Sequence, residues 1–242
     1  NLVEECSQNE NFPSIDFQLF TSILKEWLTQ SNGAAKMIVL DWVQHLLNYA
    51  HDQFYEQTPL IFDSLIDIIQ TDSIKVITLA IKILCRLSLS NNSSTQYNDN
   101  LIPFLCGIIS NLTKNKCSQL KSQGSLIVRT ICQSLSPLIV YTKLAEVIIA
   151  DFEKSPEIST IVHTLNIIML TAEETRDLRL FLVKSDEKEK LVVFTTIYKC
   201  WAHNPVSALS LCLISGRYQL SYDIIKEFQQ IEPSVELLMQ ID

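Results

Sequence analysis

Residues 198–223 read YKCWAHNPVSALSLCLISGRYQLSYD. Apolar residues recur at helical spacing on both sides of Asn204-Pro205. Asn is a favoured N-cap, because its side-chain oxygen accepts from a free amide of the first turn. Proline suits the first helical position, where no amide donor is needed. The pattern predicts one helix ending near His203 and another starting at Pro205. Gly216 is placed to take the left-handed conformation that closes the second helix, and a third is predicted over Arg217 to Phe228. Three helices with two tight connections must pack as a compact hairpin array.

The same periodicity runs upstream. Phe17, Phe20, Ile23, Leu24, Trp27 and Leu28 are spaced to share one helical face. Val39, Trp42, Val43, Leu46 and Leu47 do so for a second helix, and Phe62, Leu65, Ile66 and Ile69 for a third. A fourth carries Val76, Leu79, Ala80, Ile83, Leu84 and Leu87. Phe20, Phe62 and Phe104 follow one another at intervals of 42 residues, and Lys36 and Lys75 lie 39 apart. Pro13, Pro59 and Pro103 are expected just ahead of the first helix of each unit. A period near forty with two helices per unit is that of HEAT repeats. Asp72, Val76, Ala80 and Leu84 stand where such repeats place a turn acid, a valine, a small residue and a core leucine. The fold class expected is all-α, stacked antiparallel helix pairs in a HEAT-like solenoid of about six pairs. Polar, aperiodic residues 88–100 (SLSNNSSTQYNDN) are expected as a loop, and 185–190 (SDEKEK) as a charged bend between helices. Ser155-Pro156 is expected to start a helix.

Composition narrows the function classes. With 47% hydrophobic residues, the 242-residue chain can bury a substantial core. Only 4 glycines and 7 prolines argue against Gly-rich phosphate loops and turn-dense sheets. The net charge of -8 lacks the basic footprint of a nucleic-acid binder, and gives no affinity for anionic lipid. The apolar runs are too short to span a bilayer, and no signal peptide is visible. Asn1 in place of Met, and a helical pattern still running at Asp242, lead us to expect a piece of a longer array.

No residue pattern points to catalysis or a bound cofactor. Cys6, Cys85, Cys106, Cys117, Cys132, Cys200 and Cys212 form no C-x-x-C pair, and read as reduced core thiols of a cytosolic protein. The glycosylation patterns at Asn92 and Asn111 then count as chance. His203 lies near Cys200 and Cys212, and Cys200 and His203 would share a helical face, but a structural zinc site needs four ligands and no second C-x-x-C or H-x-x-x-H supplies the rest. Cys132 has no His partner for nucleophilic chemistry. His45 and His51 are expected to be solvated. Glu4-Glu5 and Glu173-Glu174 are expected as exposed charges at helix ends. No nucleotide or kinase motif occurs, so an enzyme is not expected. Apolar neighbours at helical spacing predict core positions for Trp27, Trp42 and Trp201.

Several segments resemble the C-terminal region of the ArPIKfyve family of vacuole morphology scaffolds. They are Trp-Ala-His-Asn-Pro-Val at 201–206, Ser-Leu-Cys-Leu at 210–213, Arg217-Tyr218 and Tyr222-Asp223-Ile224-Ile225. Upstream, Gly124 to Arg129 with Cys132, Leu144-Ala145, Val162 to Asn166, and Leu170-Thr171 are similar to the same family. The resemblance is clear over 120–242 and weaker before that. It implies a non-catalytic scaffold that holds a PIKfyve-type lipid kinase and a Sac-domain phosphoinositide phosphatase. That assembly makes and turns over phosphatidylinositol 3,5-bisphosphate on vacuole and endosome membranes. It also implies self-association of the full-length protein, no cofactor or metal, and a cytoplasmic location with membrane attachment only through partners. On this basis residues 1–96 are expected as HEAT-like repeats. Residues 97–242 are expected as the phosphatase-binding region, truncated at its C-terminal end. Arg217, Tyr218 and Tyr222 are the expected partner contacts, since Arg and Tyr are frequent interface anchors. The alternative, a transport adaptor for peptide cargo, would need an Asn or Trp ladder at the repeat period, and none recurs.

Overall fold

A computed structural model describes residues 16–30, 32–49, 54–71, 73–89, 100–114, 124–184, 187–228 and 239. The described residues are almost entirely α-helical and contain no β-strand. They divide into two compact units, Asn1–Ile108 and Ile109–Asp242.

The first unit starts with α1 (Phe17–Gln30), α2 (Gly33–Tyr49), α3 (Pro59–Thr71) and α4 (Ile74–Leu87). Its last helix, α5 (Leu101–Lys114), continues past the boundary. Two residues separate α1 from α2, and two separate α3 from α4, so each pair is an antiparallel hairpin. Asp16 Oδ1 accepts from the Gln18 and Leu19 amides to open α1, and Asn32 Oδ1 accepts from the Ala35 amide to open α2. α1 packs on α3 and α2 packs on α4, which gives one layer of first helices and one of second helices. Leu40, Val43, Leu65, Ala80 and Leu84 lie between them, fully buried. Arg86, in the last turn of α4, reaches across to the Leu47 carbonyl and to Asn48. There it satisfies an orphan carbonyl at the end of α2.

Several expectations for this unit need correction. Pro59 is the first residue of α3 and Pro103 the third of α5, rather than preceding their helices. First-turn amides have no intrahelical acceptor, so proline is tolerated there. The apolar residues of α1 fall on two sides of the helix. Leu24 and Leu28 are buried with Thr21, while Ile23 and Trp27 are exposed, Trp27 by 53%. Trp42 is likewise 37% exposed instead of lying in the core. Spacing tells which residues share a face, and not which face finds a partner. His45 is half-buried, with its ring edge-on to Trp42 at 6.2 Å, and is not simply solvated.

The second unit holds α6 (Ser125–Ser134), α7 (Pro137–Asp151), α8 (Ile158–Thr171) and a 3-10 turn at Glu173–Thr175. They are followed by α9 (Arg176–Lys184), α10 (Glu187–Trp201), α11 (Pro205–Ile214) and α12 (Tyr218–Phe228). α6, α8 and α11 pack side by side as one layer, and α7 with α9 and α10 as the other. α12 folds back on α11. The expected helix start at Ser155-Pro156 is a turn that leads into α8 two residues later. The expected bend at 185–190 is also corrected: Glu187 to Lys190 is the first turn of α10, and Lys190 is buried. Glu and Lys are good helix formers, and Glu189 suits the positive end of the helix dipole.

The polar stretch 90–99 lies outside the described residues. So do Cys6, Cys117, Pro13, His51, Asp72, Glu4-Glu5, Asn92 and Ser185.

Candidate partner-binding surface

The stretch 198–223 is anchored by Trp201, which is fully buried at the end of α10. A buried indole needs an acceptor for its N–H. Trp201 donates from Nε1 to Asn166 Oδ1 on α8 at 3.0 Å. The Asn166 amide nitrogen donates in turn to Ser210 Oγ on α11 at 3.1 Å, and Ser210 donates to the Val206 carbonyl. Tyr141 on α7 lies beside the indole, with ring centroids 6.1 Å apart, and its hydroxyl donates to the Leu165 carbonyl at 3.0 Å. Burial holds the Tyr141 phenol well above its ordinary pKa, so it stays a neutral donor. Four helices thus meet at one indole and one amide.

The break after α10 closes as its residues require. Asn204 Oδ1 accepts from the Ser207 amide at 2.9 Å and from the Ser207 hydroxyl at 2.7 Å. The Asn204 amide nitrogen donates to Ser159 Oγ on α8. Pro205 is the first residue of α11. At the far end of α11, Gly216 has φ +71°. The Arg217 amide donates to the Cys212 carbonyl, and the Gly216 amide to the Leu213 carbonyl. This is a Schellman closure, which turns the chain into α12.

A second polar cluster ends α8. Arg179 donates to the Met169 and Ala172 carbonyls and to Thr175 Oγ1, at 2.7–2.8 Å. The guanidinium supplies donors and positive charge where a helix end needs both. Glu174 is not a free surface charge as expected. It accepts from Arg129 through two bonds of 3.0 and 3.1 Å, and from Gln133. These bonds, that to Arg129 first, hold its pKa down to about 2.

The thiols face the interior. Cys132 and Cys200 are pushed up to about 12 and Cys212 to about 11, in each case chiefly by burial. Neutral thiols of this kind are poor nucleophiles and poor metal ligands. Cys85 is buried as well, Cys106 is half-buried, and none of the five described cysteines is in a disulfide. Among the described residues, no group of three or more His, Cys, Asp or Glu could hold a metal ion. His203 lies half-buried in the turn between α10 and α11.

The residues singled out as contacts differ in placement. Tyr218 and Tyr222 are 71% and 63% exposed, and Ile225, one turn further on, is 45% exposed. The three follow at helical spacing along the outer side of α12, whose buried residue is Ser221. Arg217 is half-buried, with its guanidinium carbon 5.6 Å from the Phe194 ring centroid on α10. It therefore helps to seat α12, a role for which the sequence holds no local signal. Asn166 and Tyr141 were missed as organisers of the core, because their partners stand 35 and 24 residues away in the chain.

Comparison with known proteins gives the family. The family described as vacuolar protein 14 C-terminal Fig4p binding matches residues 117–242, just over half of the chain. The chain belongs to this family. The matched residues lie within the second unit. A protein VAC14 homolog of Schizosaccharomyces pombe is 29% identical over 239 residues, 98% of this chain and 28% of the relative. An Arabidopsis thaliana VAC14 homolog is 28% identical over 94% of this chain and 30% of its own length. Vacuole morphology and inheritance protein 14 of Saccharomyces cerevisiae is 26% identical over 86% of this chain and 22% of its own length. The chain thus spans under a third of the length of these relatives. No solved structure matches it.

Proposed function

We propose that this chain is part of a non-catalytic scaffold that binds a Sac-domain phosphoinositide phosphatase of the Fig4 type. The observation that carries the reading is the match of the Fig4p-binding family to residues 117–242, which fall within one compact unit. That unit has the physical character of a scaffold. Its polar side chains, Asn166, Asn204, Thr175 and Arg179, are bonded to fix helix ends and crossings, rather than converging on a cleft. The contact surface of this reading is the outer side of α12, with Tyr218 and Tyr222 as anchors, because aromatic side chains of high exposure contribute large contact area. Arg217 supports it from behind through Phe194.

In the wider assembly the scaffold also holds a PIKfyve-type lipid kinase and copies of itself. It thereby controls synthesis and turnover of phosphatidylinositol 3,5-bisphosphate at vacuole and endosome membranes. The regions are 1–96, a helical-repeat spacer, and 97–242, the phosphatase-binding part. With a net charge of -8 the chain reaches the cytoplasmic face of those membranes through its partners rather than through lipid contacts. Gel filtration of the purified chain mixed with a purified Fig4-type phosphatase tests the reading. Co-elution in one early peak is expected, and separate elution at micromolar concentrations would overturn it.

A further inference from the structure

Neither α8 nor α11 carries an Asp, Glu, Lys or Arg, whereas every other described helix carries at least one. Asn204 bonds to Ser159 near the helix starts and Asn166 to Ser210 further along, so α8 and α11 run parallel and adjacent. Asn166 and Ser210 meet across the seam between them. At 3.6 residues per turn, Ile167 and Leu170 lie to one side of Asn166, and Leu213 to the matching side of Ser210. The three share the outer surface of their layer and are 46%, 36% and 48% exposed. A helix without charge is ordinarily buried all round, yet here one side of each is open to water. The hydroxyls of these helices are already engaged. Thr164, Thr171 and Ser210 donate to the Thr160, Ile167 and Val206 carbonyls at 2.6–2.8 Å. Covering them would leave no hydroxyl donor unsatisfied.

Charge is depleted at the centre of a protein interface and retained at its rim. On the α6 side, the Arg129–Glu174 pair and Gln133 supply such a rim. A charged group seated on α8 and α11 would be buried without a counter-ion, at a large penalty. The occupant's contact side is therefore apolar and uncharged. Its secondary structure follows from the seam. Strand addition requires an open sheet edge, and the described residues contain no strand. Proline-rich ligands require an aromatic-lined groove, and neither helix carries Phe, Tyr or Trp. Two parallel helices instead offer a groove that takes the side-chain ridge of a third. Both helices lie within the residues that match the Fig4p-binding family. We propose that the seam between α8 and α11 is a second docking surface, filled by the apolar face of an amphipathic helix of the Fig4-type phosphatase. This rests on the reading of the chain as a phosphatase-binding scaffold, and adds a contact on helices other than α12.

A titration of purified Fig4-type phosphatase against the chain and against the double variant Ile167→Lys, Leu213→Lys tests the surface. Both side chains are exposed and lysine is a good helix former, so the variant should keep the parent melting temperature. It should bind the phosphatase at least about tenfold more weakly. Parent-level binding by the folded variant would overturn the docking surface and leave the phosphatase reading in place. No binding by the parent chain would overturn both. A photo-crosslinker gives a reading that does not depend on lost affinity. In the complex of the phosphatase with the chain carrying Leu213→benzoylphenylalanine, irradiation should join position 213 to a helix of the phosphatase. Crosslinks to a second copy of this chain, or none to the phosphatase, would contradict the assignment.

Discussion

Trp201 and Asn166 set the centre of the second unit, and the two can be separated experimentally. Trp201→Ala removes a fully buried ring and should cost about 3–5 kcal/mol, read as a lower denaturant midpoint. Trp201→Phe keeps most of the ring but takes away the donor to Asn166 Oδ1, and should cost about 1–3 kcal/mol. A Trp201→Ala protein as stable as the parent would show that the ring is not packed. Glu174 offers a pH test. Its folded pKa is depressed to about 2 from an ordinary 4.5, chiefly by Arg129. The folded state therefore binds this proton less readily than the unfolded chain. The stabilisation is full above pH 4.5 and is lost as pH falls through 2. Glu174→Gln should flatten the part of the acid dependence of the melting temperature that falls in this window. An unchanged profile would mean that the Arg129 pair does not persist in solution.

At the level of elements, the turn between α11 and α12 depends on one backbone conformation. A Cβ at Gly216 would meet nothing within 4 Å, so the cost of Gly216→Ala comes from φ +71° alone. That cost should be about 1–2 kcal/mol, and Gly216→Asn should lose less, since Asn tolerates the left-handed region. Equal stability of all three proteins would show that the turn is made another way. Gly107 on α5 is different: an added Cβ would lie 2.9 Å from Ile66 Cγ2 on α3, so close helix approach is the reason for glycine there. Such elements show what was legible in the sequence. Asn204, Pro205 and Gly216 act through local backbone chemistry, and their roles follow from their immediate neighbours. The register of Val76, Ala80 and Leu84 was equally readable from the repeat, and all three are buried. The long-range partners of Trp201 and Glu174 were not, because no local pattern encodes a contact between separate helices. Trp27 and Trp42 went wrong for a related reason: an apolar stripe reports the need for a neighbour, not its presence.

On the scale of the molecule, the segments that mark the family mix interior and exposed positions. Val128, Cys132, Leu144, Ala145, Val162, Leu165, Asn166, Trp201 and Asn204 are all buried. They specify how the helices of the second unit pack, and the proposed partner surface lies among what that packing presents outward. The exposed line of Tyr218, Tyr222 and Ile225 on α12 is one part of the signature region that packing does not consume, beside Leu170 and Leu213. The central claim is that this line binds the phosphatase. Its most direct test is a binding titration of the Fig4-type phosphatase against the chain and against the double variant Tyr218→Ala, Tyr222→Ala. Both tyrosines are exposed, so the variant should keep the parent melting temperature. The account predicts a loss of affinity of at least about tenfold, the effect of roughly 1.4 kcal/mol at the interface. Full-strength binding by the folded double variant would contradict it.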